Sequence, residues 1–293
     1  MNYRHAYHAG NFADVFKHTV LIHIIRYLQR KDGGIRIVDT HAGTGMYALD
    51  SAEAQKTGEW REGIGRLLGL SLDEPEGSLP TAGAKLVSDE TVAAYLELVR
   101  RYNSGAQLNH YPGSPVIARD LLRGQDVLVA NELHPADFEA LQNEFIRDRQ
   151  TKTLNLDGWL VPKSVLPPKE RRGVVLIDPP FEQPDEFGRM TGALTEGVRR
   201  FATGTYVFWY PIKDPAPVSA FKHRVRNLGL GRIIAAELFI RSPLQTSVLN
   251  GCGLLIHNPP FGLIEWLEGL LPLLAEVLAQ DAAATWRLET HLA

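Results

Sequence analysis

A chain of 293 residues with 44% hydrophobic composition and a formal net charge of −3 can bury a full α/β core with a subdomain, and it lacks the basic balance of a general nucleic-acid binder. A single cysteine, Cys252, excludes an internal disulfide and points to a reducing, cytoplasmic setting. The start of the chain has no signal-peptide apolar stretch, and the nearest candidate for a membrane span, 261–279, carries Glu265, Glu268 and Glu276. It therefore reads as an amphipathic terminal helix, and no membrane partner is expected.

In chain order, Asn11 caps a helix over 12 to about 30, with Asp14 in its first turn and Val15, Phe16, Val20, Ile24 and Leu28 near helical spacing. A short strand, Ile35-Arg36-Ile37-Val38, ends at Asp39 and runs into the glycine-bearing turn Thr40-His41-Ala42-Gly43-Thr44-Gly45. The character then changes. Helix-like segments at 52–68 and 89–102, separated by a loop at 71–77, suggest an inserted helical subdomain over 46–110, which leaves 1–45 and 111–293 as the main domain. Ser114 reads as the cap of the next helix and Pro115 as its first residue. Further strands are expected at 126–131, 151–156, 173–177, 204–210, 232–239 and 251–257, with helices at 135–148, 185–201 and 215–228. This alternation predicts a doubly covered, mostly parallel seven-stranded sheet of Rossmann-like type.

In such sheets ligands bind at the carboxyl ends of the strands, where Asp39, Glu132, Asp157 and Asp178 all fall. Glu132, ending the second strand, suits the ribose hydroxyls of a nucleoside, and the insertion accounts for its long distance from the glycine turn. Asp157 suits an adenine amine, with Gly158 leaving room for the ring. The turn is not Gly-x-Gly-x-x-Gly and no Gly-Lys-Ser/Thr follows it, so a pyrophosphate cradle, and with it NAD or ATP, is disfavoured. S-adenosylmethionine has no phosphate. Asp39 would face its ammonium group, and His18, His41 and Ser114 its carboxylate. The ten histidines include no His-Glu-x-x-His and no second cysteine to join them, so no metal is expected.

The run Gly173-Val174-Val175-Leu176-Ile177-Asp178-Pro179-Pro180-Phe181 suits one demanding reaction. The exocyclic amine of adenine is a poor nucleophile because its lone pair is conjugated into the ring, and hydrogen-bond acceptors draw that pair out. Asp178 and the carbonyl of Pro179 would each accept one N–H, while Phe181 stacks on the base. A second run, Asn258-Pro259-Pro260-Phe261, also follows an apolar strand. The aromatic and basic tip formed by Tyr3, Arg4, His5 and His8, with Lys17 on the first helix, would hold RNA by stacking and charge. Three other basic clusters, at 169–172, 199–200 and 222–226, have an ordinary solvated face as their default reading.

The segments Tyr3-Arg4-His5, His8-Ala9-Gly10-Asn11, Ala13-Asp14-Val15, Lys17-His18-Thr19, Asp39-Thr40-His41-Ala42-Gly43, Tyr111-Pro112-Gly113-Ser114-Pro115, Glu132-Leu133-His134-Pro135 and Asp178-Pro179-Pro180 together resemble the bacterial ribosomal RNA large subunit methyltransferase J family. The resemblance covers nearly the whole chain. It implies methylation of N6 of one adenine in 23S rRNA before the ribosome is fully assembled, by a monomer using S-adenosylmethionine. It also implies cofactor contacts at His18, His41, Ser114, Glu132, Asp157, Gly158 and Asp178, and Tyr3 facing the RNA. The family pattern has tyrosine where this chain has Phe181, a change that keeps the stacking face. The acceptor motif belongs at Asp178, which leaves Asn258-Pro259-Pro260-Phe261 as a structural turn. The shared acceptor chemistry also fits adenine in DNA or a protein glutamine amide, and a third reading is an RNA-binding module without turnover.

Overall fold

A computed structural model describes residues 4–69, 81–104, 107–244 and 246–292; Tyr3 and the loop at 71–77 lie outside them. Ten strands occur among the described residues: β1 (Arg36–Asp39), β2 (Met46–Ala48), β3 (His110–Pro112), β4 (Val127–Asn131), β5 (Thr151–Leu154), β6 (Gly173–Ile177), β7 (Thr205–Ile212), β8 (Ile233–Phe239), β9 (Gly251–His257) and β10 (Thr285–Glu289). All seven expected strands join one sheet, which β10 extends to eight in the order β10-β8-β9-β7-β6-β1-β4-β5. The pairs among β5, β4, β1, β6 and β7 are parallel. Those of β7 with β9, β9 with β8 and β8 with β10 are antiparallel. In β6, Val174 and Leu176 enter one hydrophobic cluster while Val175 and Ile177 enter the other. Both faces are therefore buried, as an unbroken apolar run requires.

The helix Phe12–Leu28 starts as expected, with the Asn11 side chain accepting from the backbone N–H of Ala13 and of Asp14, both at 3.0 Å. Ser114 is the first helical residue and Gly113 the cap, one position earlier than expected. The helix expected at 52–68 is three short pieces, Ala52–Thr57, Glu59–Glu62 and Ile64–Leu67. The last break follows from packing: a Cβ at Gly63 would lie 2.1 Å from the Gly10 carbonyl oxygen, so the chain here passes against the entrance to the first helix. Strands β2 and β3 pair with each other and bring the two ends of this helical stretch together. The helix Leu263–Val277 is amphipathic but not terminal, since β10 follows it.

Topology also separates the two Pro-Pro motifs. Asp178 follows β6, at the carboxyl end of the parallel strands. β9 runs antiparallel to β7, with His257 opposite Tyr206, so Asn258 emerges at the amino ends, on the far side of the sheet. There its side chain donates to the carbonyl of Thr203 at 3.1 Å, which makes it a turn residue.

Candidate active site

At the carboxyl ends of the parallel strands lies a cavity of about 380 Å³, lined by His18, His41, Ser114, Glu132, Asp157, Gly158 and Asp178 among others. A second, of about 370 Å³, is walled by Phe181, Trp209 and Pro211. The two share His5, Lys17, Asp178, Pro180 and Glu182. The strand that ends in Asp178 thus places one carboxylate at the wall between two chambers, each of a size to take a nucleoside.

Glu132 lies just beyond β4 and is 8% exposed. Its Oε2 accepts from the Gly43 N–H at 2.9 Å and its Oε1 from the His134 N–H at 2.8 Å. Burial raises its pKa, and these backbone donors oppose the rise. Each oxygen keeps a further acceptor site for a ribose hydroxyl. Asp157 caps the turn Gly158–Leu160 through Trp159 N–H at 3.1 Å. A Cβ on Gly158 would come within 2.4 Å of His41 Nε2 and 2.7 Å of the Thr40 carbonyl oxygen, so only glycine leaves this wall intact. Leu133, 46% exposed, adds an apolar surface at the same end.

His18 is 1% exposed. Its Nδ1 lies 2.7 Å from the Tyr111 hydroxyl, itself 2.7 Å from that of Tyr95. Burial lowers its pKa to about 3, so the ring is neutral at physiological pH. When Nδ1 accepts from Tyr111, the proton sits on Nε2, a buried donor with no hydrogen-bond partner. Burial likewise lowers His41 to about 4. Tyr95 belongs to no motif and Tyr111 stands in one without an assigned role, because nothing in their spacing ties them to His18; only a chain of hydroxyls at hydrogen-bond distance does.

Two expectations are corrected here. Asp39 does not line the cavity. It is 1% exposed, accepting from the Ser114 hydroxyl at 2.6 Å and from the His41 N–H at 3.3 Å. It thus fixes the two groups that do line the cavity and offers no surface to an ammonium. Lys17 does not reach outward to RNA phosphates. It is 4% exposed, and its Nζ lies 2.8 Å from Asp14 Oδ1 and 2.5 Å from Asp178 Oδ2. Burial opposes its charge, but the two carboxylates outweigh burial and raise its pKa well above the usual value.

The N-terminal tip is docked to the core. Arg4 pairs with Asp137 at 3.1 Å, His5 Nε2 lies 2.9 Å from Asp14 Oδ2, and His8 lies 3.0 Å from the Glu59 carboxylate. Of these, His5 lines both chambers and His8 the second. Phe181 has φ of 53° and sets its ring 5.9 Å from Trp209. Pro179 is buried and lines neither chamber, whereas Pro180 lines both. In the remaining basic clusters Lys222 pairs with Glu237, Arg199 with Glu196, and Arg172 donates to the carbonyl of Gly33 at 3.1 Å.

The family model for “Ribosomal RNA large subunit methyltransferase D, RlmJ” matches residues 32–291. The chain belongs to the ribosomal RNA large subunit methyltransferase J family. The Ribosomal RNA large subunit methyltransferase J of Haemophilus influenzae is 38% identical over 290 residues, covering 99% of this chain and 98% of that one. The protein of the same name from Escherichia coli is 39% identical over 272 residues, covering 93% and 92%. The crystal structure of protein LPL1258 from Legionella pneumophila superposes with a TM-score of 0.83 at 30% identity, covering 97% of this chain and 98% of that one. This member of the methyltransferase J family is therefore an rRNA methyltransferase, and S-adenosylmethionine is its cofactor. The first chamber fits that group: a buried unpartnered donor at His18, acceptors at Glu132 and Asp157, and a wall at Gly158 that a Cβ would obstruct. No described helix is long and apolar enough to cross a membrane.

Glu132→Ala is expected to lower cofactor affinity at least about tenfold, since hydrogen bonds to a charged group contribute about 1.5–3 kcal/mol each. Because Glu132 also ties the glycine turn to the next helix, thermal stability should fall with it. Calorimetric titration reads the affinity, and an unchanged value in a folded variant would remove Glu132 from the cofactor.

Proposed function

We propose that the enzyme methylates the exocyclic N6 of one adenine in 23S rRNA, with the cofactor in the first chamber and the target base in the second. The observation that carries this reading is Asp178 standing at their common wall beside the aromatic chamber of Phe181 and Trp209. Bound S-adenosylmethionine supplies a methyl group on a sulfonium. Asp178 accepts one N–H of the target amine and a carbonyl of the Pro-Pro turn, where Pro180 borders both chambers, the other, which frees the nitrogen lone pair. Lys17 holds the Asp178 carboxylate in place, and the Phe181 ring packs on the base. The amine's proton leaves after the methyl has transferred, so Asp178 need not be a strong base.

A chamber of about 370 Å³ takes one base and not a duplex, so the nucleotide has to leave its stack. That favours RNA not yet locked into an assembled subunit, met by a monomer in the cytoplasm. Tyr3, Arg4, His5 and His8 would guide the flanking RNA at the chamber mouth. Residues 46–110 act as a subdomain that steadies this tip through Glu59 and His18 through Tyr95. In the cofactor chamber, His18 and His41 hold the methionine carboxylate, and Ser114, whose one hydroxyl proton goes to Asp39, has its backbone N–H to donate to it. The deciding experiment incubates the protein with unmodified 23S rRNA, duplex DNA and a glutamine peptide, each with labelled cofactor, and maps the modified atom. Label on DNA or on the peptide alone would replace this reading.

Asp39 also gives the fold a pH signature. Burial raises its pKa from 3.8 to about 6, so the folded state holds a proton that the unfolded chain releases. The stability it contributes is complete below the unfolded value and is lost as pH rises through about 6. Relative to Asp39→Asn, wild type should lose about 2 kcal/mol between pH 4 and pH 7, most of the full effect at 1.36 kcal/mol per pKa unit. Denaturant melts of the two proteins that run parallel across this range would exclude the effect.

A further inference from the structure

We propose that Glu186 is a further cofactor-binding residue, its carboxyl taking one N–H of the exocyclic amine on the cofactor's adenine while Asp157 takes the other. This rests on the reading that the first chamber holds the cofactor. Glu186 opens the helix Glu186–Arg200, lines that chamber and is 4% exposed. Its carboxyl accepts from the Gln183 backbone N–H, yet Oε2 is buried without a hydrogen-bond partner. A buried oxygen left unpaired costs about 1–3 kcal/mol, a cost that a ligand donor would cancel.

The charges around Glu186 say which end of the chamber it faces. Asp39, at the methionine end, interacts with Lys17 and Asp178. Glu186 interacts with Asp157, Glu182 and Arg189, and its helix packs on the turn Gly158–Leu160. It therefore belongs with Asp157 and Gly158, where the adenine ring lies. An exocyclic amine has two N–H donors, and Asp157 can satisfy one. Two acidic groups around one amine also select adenine over a 6-oxo purine, which offers an acceptor there.

The competing role is purely structural, a carboxyl that fixes the start of its helix through Gln183. Calorimetry on the full chain with S-adenosylhomocysteine and S-inosylhomocysteine separates the two, because the ligands differ only in the 6-amino or 6-oxo group. Glu186→Ala should lose about tenfold or more in affinity for the adenosyl ligand and little for the inosyl ligand. Glu186→Gln keeps an acceptor for Gln183 but can turn an NH₂ toward the ligand, so its preference for the adenosyl ligand should shrink or invert. Equal losses for both ligands, or none, in Glu186→Gln overturn the proposal, and this variant decides alone if Glu186→Ala does not fold. A wild-type protein that binds neither ligand would instead overturn the assignment of the chamber, and the proposal with it.

Discussion

Asp178→Ala is expected to abolish methyl transfer to rRNA while leaving cofactor affinity nearly unchanged. The carboxylate lines both chambers; on the proposed reading it acts on the target amine, and the groups given to ribose and adenine, Glu132 and Asp157, stay in place. Lys17 keeps Asp14 as a partner at 2.8 Å, so the variant should fold. Asp178→Asn should also be severely impaired. A neutral amide oxygen is a weaker acceptor, and with the Lys17 ammonium drawing that oxygen to itself, the NH₂ is turned toward the base. Single-turnover methylation and calorimetry read the two halves of the expectation separately. Wild-type turnover in either variant would sink the catalytic assignment.

The second large effect belongs to Lys17. It is a buried cation between two carboxylates, so Lys17→Met leaves Asp14 and Asp178 without the cation between them, and only Asp14 keeps a partner on this side, in His5 at 2.9 Å. Removing one partner from a buried charge cluster costs about 3–5 kcal/mol, a large part of the 5–15 kcal/mol typical of a domain. Methylation should fall with stability, because Asp178 loses the contact that fixes it. The loss should depend on pH in a defined direction. Burial would raise the Asp14 pKa, but His5, Lys17 and His18 outweigh it and hold the carboxyl well below its usual value. The stability Asp14 contributes is thus present above pH 3.8 and disappears as pH falls below it. The deficit of Lys17→Met is therefore greatest near neutrality and shrinks in acid. Denaturant midpoints at pH 7 and at about pH 2.5 test this, and a midpoint matching wild type at pH 7 would refute the buried-cluster argument.

Asp39, Glu132 and Asp178 were legible because a parallel strand buried on both faces announces itself as an apolar run, and the acid at its end marks the carboxyl end; Asp157 lies three residues past β5, a half-buried edge strand of sequence Thr-Lys-Thr-Leu. Asp178 and Glu132 follow their strands directly and line the chamber as expected. Asp39 is the last residue of β1 and turns inward to Ser114, a choice set by a partner 75 positions away. Lys17 misled for a similar reason. On a helix wheel a lysine near the N-terminus reads as solvated, and only the tertiary approach of Asp178, 161 positions on, turns it inward. Strand β10 was missed because Thr285-Trp286-Arg287-Leu288-Glu289 is short and mostly exposed at the sheet edge. The hairpin of β8 and β9 was read within a run of parallel units because eleven residues separate the two strands, with Ser242-Pro243 and Asn250-Gly251 at opposite ends of the connection and no two-residue turn between the strands. The split of 52–68 at Gly63 reflects a contact with Gly10 that no local pattern encodes.

The common wall between the two chambers has a consequence for ligand design. Because Asp178, Pro180, Lys17 and His5 border both spaces, the proposed placement of cofactor and target base sets the two ligands side by side across that wall. A single molecule joining the sulfur end of an S-adenosyl scaffold to N6 of a second adenosine through one or two methylene units would occupy both at once. Joining the halves makes the second binding event intramolecular, at an effective concentration in the millimolar range or above. Such a compound should bind far more tightly than either half, and lengthening the tether should forfeit that gain. The optimum tether length would measure, in solution, the gap across which the methyl group travels.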